Sequence, residues 1–438
     1  MAGEWKRVAV SEVCELIVDC VNKTAPVVEA LTPYKMLRTT NIKCGRIDRE
    51  ECRRVSQDTF VKWTRRADVR CGDVILTREA PLGEVGYVDF TDTVFLGQRL
   101  MQYRANPALL EPRFLLYSFL SKDLQNQFGA HEGSGSTVSH IRVGDCSKFQ
   151  LSLPPLAEQK AIAAVLGALD DKIELNRRMN ATLEAMARAL FQSWFVDFAP
   201  VRAKLDGRQP AGLDPATAAL FPDHFQDSPL GHIPQGWRVG KVSDLAMLSR
   251  AAVNPNDFPD ETFDHFSLPA FDNGRTPKAE LGSAIMSNKL VVTPNSVLLS
   301  KLNPHIPRIW LPDLRTSHRS VCSTEFMVEC SKLGVSREYL FSQFTSSSFA
   351  SVYGTLVTGT TGSHQRIRPE SVLEMNVVLP SSALIQAFTD IAKPMFDRIN
   401  RNTEQSRTLA ILRDTLLPKL LSGELSVSEL NLNQAAVP

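Results

Sequence analysis

Two sets of polar side chains are of the types that can recognise the edges of DNA bases, because donors and acceptors on Arg, Lys, Asn, Gln, Ser and Thr contact base edges. The candidates in the first half of the chain are Lys35, Arg38, Asn41, Lys43, Arg78, Gln98, Arg99, Ser136, Thr137, His140 and Arg142. Those in the second half are Lys301, Asn303, His305, Arg308, Thr361, Ser363, His364, Gln365, Arg366 and Arg368. For any single one of them, an exposed side chain without a DNA contact is the commoner outcome.

The strongest candidate segment is TGTTGSHQRIR, residues 358–368, because Gly-rich backbone and clustered polar groups coincide there. Its counterpart at 133–142 ranks second. The sequence carries none of the motifs that would add catalysis: no G-x-x-x-x-G-K-[ST], no Asn-Pro-Pro-aromatic, no H-E-x-x-H and no nuclease-type carboxylate set. The eight cysteines are scattered without a C-x-x-C pair, which indicates reduced thiols and no metal site. The expectation is a non-enzyme that binds no cofactor itself.

An internal repeat supplies the elements that must position these side chains. Trp5 matches Trp237, GDVILTR from Gly72 matches NSVLLSK from Asn295, and Leu153-Pro154 matches Leu379-Pro380, all in one order. Each half therefore follows one plan, a mixed α/β region and then a long helix. The short apolar runs VILT and VLLS predict buried strands.

Each mixed region is followed by a predicted amphipathic helix with a 4-3 seam, which indicates an antiparallel coiled-coil pair. The seam residues are Ile162, Leu166, Leu169, Ile173, Asn176, Asn180, Leu183 and Leu190 in the first helix and Met395, Ile399, Asn402, Leu409 and Leu416 in the second. Asparagines at matched positions should meet near the middle and fix the register. Pro394 should kink or restart the second helix. Six prolines between 199 and 236 predict an extended connector without packed elements.

The amino-acid composition neither supports nor excludes DNA binding. The 438 residues carry 49 basic and 48 acidic side chains, a net charge of +1, so the basic excess common in DNA-binding proteins is absent. A basic face could still exist within a balanced total. No apolar stretch of membrane-spanning length and no secretory signal is visible, which is typical of a cytoplasmic protein.

Three segments carry a family resemblance: LPPLAEQKAIAAVLGALDDKIELNRRMNATLEAMARALFQSWFVDF (153–198), GHIPQGW (231–237) and LRDTLLPKLLSGEL (412–425). They resemble the specificity subunits of Type I restriction-modification enzymes. The resemblance implies two target recognition domains, each reading one part of a bipartite, asymmetric site in double-stranded DNA. The two helices would hold these domains apart. Two adenine methyltransferase subunits and restriction/translocase subunits would be the partners, and S-adenosylmethionine, ATP and Mg²⁺ would bind to them and not to this chain.

The predicted organisation assigns residues 1–153 and 237–380 to the two recognition domains. The helices take 154–198 and 381–425, the connector takes 199–236, and the tail takes 426–438. The alternatives are a stand-alone DNA-binding regulator, a scaffold that binds only protein, and an enzyme with an unfamiliar site. Salt-dependent DNA binding would separate the DNA readers from the scaffold. Co-purification with a methyltransferase would separate the specificity subunit from the regulator.

Overall fold

A computed structural model describes residues 5–131, 140–314, 316–358 and 365–430. The chain forms two compact units: unit 1 comprises Met1–Leu175 with Gln405–Pro438, and unit 2 comprises Asn176–Glu404. Each unit therefore combines one mixed α/β region with a segment of both long helices. The predicted mixed α/β class is confirmed.

The main sheet of unit 1 has four antiparallel strands, and further strands form smaller sheets beside it. The strands of unit 1 are β1 (Lys6–Ala9), β2 (Cys14–Asp19), β3 (Lys35–Leu37), β4 (Ile42–Lys43), β5 (Arg46–Ile47), β6 (Arg53–Arg54), β7 (Val74–Arg78), β8 (Leu82–Tyr87), β9 (Val94–Leu96), β10 (Leu100–Ala105) and β11 (Gln150–Leu153). Its helices are α1 (Val10–Val13), α2 (Gln57–Trp63), α3 (Pro112–Leu120) and α4 (Lys122–Gly129), followed by α5 (Leu156–Phe191), which continues into unit 2. The main sheet has the order β2-β10-β7-β8, and β1 pairs with β11. As the run VILT predicts, residues 74–77 of β7 are fully buried.

Unit 2 repeats this plan. Its strands are β12 (Phe225–Ser228), β13 (Gly231–Pro234), β14 (Arg238–Lys241), β15 (Ala246–Ser249), β16 (Ala252–Val253), β17 (Thr262–Phe266), β18 (Lys278–Leu281), β19 (Lys289–Val291), β20 (Ser296–Ser300), β21 (Ile309–Trp310), β22 (Arg319–Cys322), β23 (Phe326–Ser331), β24 (Val357–Thr358), β25 (Arg366–Ile367) and β26 (Asn376–Leu379). Its helices are α6 (Ala199–Leu205), α7 (Pro215–Ala219), α8 (Val242–Leu245), α9 (Leu268–Asp272), α10 (Arg337–Thr345), α11 (Ser347–Tyr353), α12 (Pro369–Leu373) and α13 (Ser382–Ser422), which continues into unit 1.

The internal repeat is confirmed at the level of strand order. The sheet β15-β23-β20-β21 corresponds to β2-β10-β7-β8, and the β14–β26 pair corresponds to β1–β11. Two consecutive helices, α3 with α4 and α10 with α11, follow the last long strand of each sheet. Each unit therefore has its own sheet, helices and buried core.

The long helices pair antiparallel within each unit, as the heptad seam predicts. In unit 1, Arg413 Nη1 donates to Asp170 Oδ1 at 2.6 Å, and leucines beyond Arg413 share the core with apolar residues before Asp170. In unit 2, Asn180 Nδ2 donates to Ile399 O at 3.4 Å, and Asn402 Nδ2 donates to Asn180 Oδ1 at 2.8 Å. All the seam residues named from the sequence are buried or half-buried.

The asparagines do meet in the middle of the pair. Asn176 and Asn402 are 0% and 2% exposed, and Asn176 Nδ2 donates to Asn402 O at 3.3 Å. Buried amides of this kind favour one register, because a shift along the helices would leave their polar atoms unpaired.

Helix α13 is continuous through Pro394, so the expected restart is wrong, whereas the kink stays a prediction. Pro394 is exposed, so its ring lies on the solvent face of the helix. The segment 199–236 is not an unpacked connector, since it forms α6, α7 and the β12–β13 hairpin. Pro200 and Pro215 occupy the first turn of α6 and α7, where a missing N–H costs no hydrogen bond. Apolar residues between the prolines, including Phe221 at 2% exposure, enter the core of unit 2.

All eight cysteines are free. Within the described ranges, none of the helices combines the length and the apolar character that crossing a membrane requires.

Candidate nucleic-acid interface

In unit 1, backbone hydrogen bonds bring three candidate segments together at one end of the main sheet, where strand β7 ends and strand β10 begins. The N–H of Arg78, at the end of β7, donates to the carbonyl of Arg99, just before β10, at 2.8 Å. The N–H of Ile141 donates to the carbonyl of Arg78 at 2.9 Å. These bonds tie the segment after residue 139 to the sheet, so Arg78, Arg99 and the neighbours of Ile141 share one surface.

In unit 2, the same edge is built with the same bonds. The N–H of Lys301, after β20, donates to the carbonyl of Glu325, before β23, at 2.8 Å. The N–H of Ile367 donates to the carbonyl of Lys301 at 3.1 Å. Lys301, Glu325 and Ile367 therefore take the places that Arg78, Arg99 and Ile141 take in unit 1. We call these two surfaces edge 1 and edge 2.

A left-handed residue followed by proline shapes the turn at each edge. Ala80 has φ +51° before Pro81, and Asn303 has φ +50° before Pro304. Thr39 Oγ1 donates to Ala80 O at 2.9 Å, which brings the segment around Arg38 to edge 1. At edge 2, the N–H of Asn303 donates to the carbonyl of Gln365 at 3.0 Å. Few side chains tolerate positive φ, so these turns constrain the polar residues beside them.

The edges collect many of the candidate DNA-reading residues, though not all. Edge 1 gathers Arg38, Arg78, Gln98, Arg99, His140 and Arg142, and edge 2 gathers Lys301, Asn303, His305, Gln365, Arg366 and Arg368. Ser136, Thr137, Thr361, Ser363 and His364 lie outside the described residues. Those assignments, like the DNA contacts of every other candidate, stay predictions.

Other candidates have structural partners. Lys35 Nζ bonds to Asp92 Oδ2 at 2.6 Å, and this bond lowers the pKa of the Asp92 carboxyl. Asn41 is 2% exposed and its Oδ1 accepts from the Arg38 N–H at 2.9 Å, so it fixes the local turn. Lys43, on β4, is exposed.

Acidic residues also lie at the edges, where they pair with candidate DNA-reading residues that the sequence predicts only as donors. Arg99 Nε pairs with Glu79 Oε1 at 2.5 Å at edge 1. At edge 2, Arg366 contacts Glu325 through Nε at 3.2 Å and Nη2 at 2.7 Å. Arg308 makes a similar two-point contact with Asp272, which raises the pKa of Arg308 and lowers that of Asp272. Of these three acidic residues, only Glu79 adjoins a candidate DNA-reading residue in the sequence, because it follows Arg78.

Behind edge 2, a carboxyl group is buried in the sheet. Glu329 on β23 is 0% exposed, and neither of its oxygens has a hydrogen-bond partner among the residues that the structure describes. Burial raises the pKa of Glu329 to about 7. Tyr353, whose hydroxyl donates to Ser300 O at 2.7 Å, lies close enough for the Glu329 charge to raise its pKa further.

Comparison with known proteins shows what this chain is similar to. Residues 3–185 match the family described as Type I restriction modification DNA specificity domain. The chain is 24% identical over 408 residues to the Type I restriction enzyme HindI specificity subunit of Haemophilus influenzae, covering 82% of this chain and 87% of that protein. It is 24% identical over 367 residues to the Type I restriction enzyme MjaIX specificity subunit of Methanocaldococcus jannaschii, covering 82% and 79%.

Among solved structures, the S subunit of a Type-I restriction-modification system from M. genitalium aligns with a TM-score of 0.53 and 13% identity, over 95% of this chain and 96% of that chain. This likeness supports the fold with its two mixed regions and long helices. Residues 3–185 therefore match the Type I restriction modification DNA specificity domain, and the chain resembles the specificity subunits of Type I restriction enzymes over most of its length.

Proposed function

We propose that this chain is the non-catalytic subunit that gives a Type I restriction-modification complex its DNA sequence specificity. Residues 1–153 and 237–380 are its two recognition domains, and each reads one part of a bipartite, asymmetric site. The observation that supports this most strongly is the repeated edge, with the same backbone bonds at Arg78 and Lys301 but different side chains around them. A repeated frame with different polar groups suits two half-sites of different sequence.

The chemistry of the complex is assigned to partner subunits. Adenine methyltransferase subunits would dock on this chain and supply S-adenosylmethionine, and restriction subunits would supply ATP and Mg²⁺. We place the complex in the cytoplasm, where its DNA substrate lies. The long helices, with polar residues outside the seam, are the candidate docking surfaces.

Co-expression with the adenine methyltransferase subunit of the same system tests the proposal. A tagged copy of this chain should retain the methyltransferase through gel filtration, and the complex should prefer one bipartite sequence in a selection from random DNA. Affinity should fall linearly with salt on logarithmic axes, as phosphate contacts require. A scaffold would retain partners without any DNA preference, and a regulator would show DNA preference without retaining the methyltransferase.

A single variant tests whether each recognition domain reads its half of the DNA site independently. Gln365→Ala at edge 2 should relax one half of the selected site and leave the other half intact. Gln226→Ala is the control, because Gln226 lies in the β12–β13 hairpin of the same unit, where its amide donates to Trp237 O at 2.7 Å. Relaxation of both halves by Gln365→Ala would contradict independent reading.

A further inference from the structure

Edge 2 carries an exposed arginine–glutamate pair on the surface that is proposed to meet DNA. The Arg366 guanidinium uses two of its five N–H donors on the two oxygens of Glu325. The pair is accessible, with 54% of the Arg366 side chain and 31% of the Glu325 side chain exposed. The backbones of Glu325 and Ile367 both bond to Lys301, which brings Glu325 and Arg366 side by side. The two-point contact with Glu325 orients the guanidinium before any ligand arrives.

The carboxylate needs an explanation at this position. A lone arginine binds any phosphate, so it adds affinity without adding sequence information. Glu325 cancels the charge of Arg366 and would repel a phosphate. The pair is therefore a poor phosphate ligand, and its donors and acceptors suit a neutral partner that offers both acceptors and a donor.

We propose that Arg366 and Glu325 together read one G·C base pair in the half-site of unit 2. Guanine presents N7 and O6 in the major groove, which an arginine fork contacts with two parallel bonds, and the paired cytosine presents its N4 amino group, which a carboxylate accepts. An A·T pair offers the fork no such pair of adjacent acceptors on one base. The proposal rests on the proposed function, since it names what one part of edge 2 recognises.

Edge 1 carries a different arrangement at the equivalent positions. Arg99 takes the place of Glu325, and its acidic partner Glu79 follows Arg78 directly in the chain. The order of donor and acceptor on the sheet edge therefore differs between the units. Two such edges would present different patterns to the two half-sites, and an asymmetric site requires that difference.

The experiment uses the full chain assembled with its methyltransferase subunits and a DNA library randomised over the preferred site. Arg366→Lys keeps the charge and removes the fork. It should reduce discrimination at one G·C position by about 5–150-fold, the range of one bidentate base contact, and leave every other position unchanged. Glu325→Ala should relax the same position, raise affinity for unrelated DNA and steepen the salt dependence by about 0.9 in log–log slope, because Arg366 then reaches a phosphate.

The control is Glu374→Gln, which removes an exposed carboxylate of unit 2 that pairs with Lys241, the last residue of β14. It should change neither the preferred sequence nor the salt slope. Relaxation at an A·T position, at different positions in the two variants, or at none, would overturn the pairing of Arg366 and Glu325 with one G·C pair. Absence of any sequence preference in the unmodified complex would instead contradict the proposed function. If Glu325→Ala does not assemble, Arg366→Lys alone decides the result, since it preserves the charge of the edge.

Discussion

Replacing Glu329 with glutamine should make the stability of unit 2 less dependent on pH between about 5 and 8. Glu329 lies on the central strand β23, between Val297 of β20 and Leu248 of β15, and is 0% exposed. Its environment contrasts with that of Asp73 in unit 1, which is also 0% exposed but bonds to Arg104 and Gln102. A buried carboxyl without such partners is far more stable protonated.

The direction follows from the raised pKa of Glu329 in the folded state. The folded chain holds this proton up to about pH 7, whereas the unfolded chain releases it near 4.5. The stabilising contribution is therefore complete below pH 4.5 and is lost as the pH rises through about 7. The interval between 4.5 and about 7 corresponds to roughly 3 kcal/mol of unfolding free energy, at 1.36 kcal/mol for each pH unit.

The assay is urea unfolding followed by tryptophan fluorescence at pH 5, 6, 7 and 8, comparing the unmodified chain with Glu329→Gln. The difference between the two proteins isolates Glu329, because it is the one group that the substitution changes. Tyr339 and Tyr353, which face the same core, have pKa values raised by burial above this range and stay neutral. Glu370→Gln, which removes an exposed carboxylate, is the control. An equal free-energy difference at pH 5 and pH 8 would refute the reasoning.

Three further results are expected. Asn402→Ala should lower the stability of unit 2 by about 1–3 kcal/mol in urea unfolding, because Asn180 loses its donor; a change below 0.5 kcal/mol would show that the amide pair does not hold the register. Arg413→Ala should destabilise unit 1 by about 1–2 kcal/mol, since the half-buried Asp170 loses its ion pair, whereas Arg7→Ala, at a more exposed pair, should cost less than about 1 kcal/mol. The purified chain alone should transfer no methyl group from S-adenosylmethionine and cut no DNA, and detectable turnover that follows the chain through purification would contradict a purely recognising role.

The repeat and the helix seam were predictable because both depend on periodic patterns of residue type. Leu166 and Asn176 follow one heptad spacing, and burial follows that spacing directly. The fold of 199–236 was not predictable by the same reasoning. Proline count indicates where helices cannot continue, but Pro200 and Pro215 lie at positions where helices begin. The decisive contacts there, such as Phe221 against Trp194 at 5.1 Å between ring centres, join residues far apart in sequence.

The candidate interface was predictable in part. The repeat alone locates both edges, since Arg78 and Lys301 end matching strands. Ion pairs such as Arg366–Glu325 depend on which loops the sheet brings together, so spacing alone could not identify them. Glu329 could have been found from the repeat, because it takes the place of Tyr103 in unit 1, a fully buried tyrosine whose hydroxyl donates to Cys146 O at 2.9 Å. A carboxyl group at a core position of a repeat is a signal worth searching for.

The most direct test of the proposed recognition role is a map of methylated adenines in cells that express the methyltransferase subunits with and without this chain. The methylated adenines should lie within one bipartite sequence, and this methylation should disappear when the chain is omitted. Replacing residues 237–380 with the corresponding segment of a related specificity subunit should change one half of that sequence and keep the other. Methylation of the same sequence without this chain, or a site unchanged by the replacement, would contradict the assignment of DNA specificity to these two units.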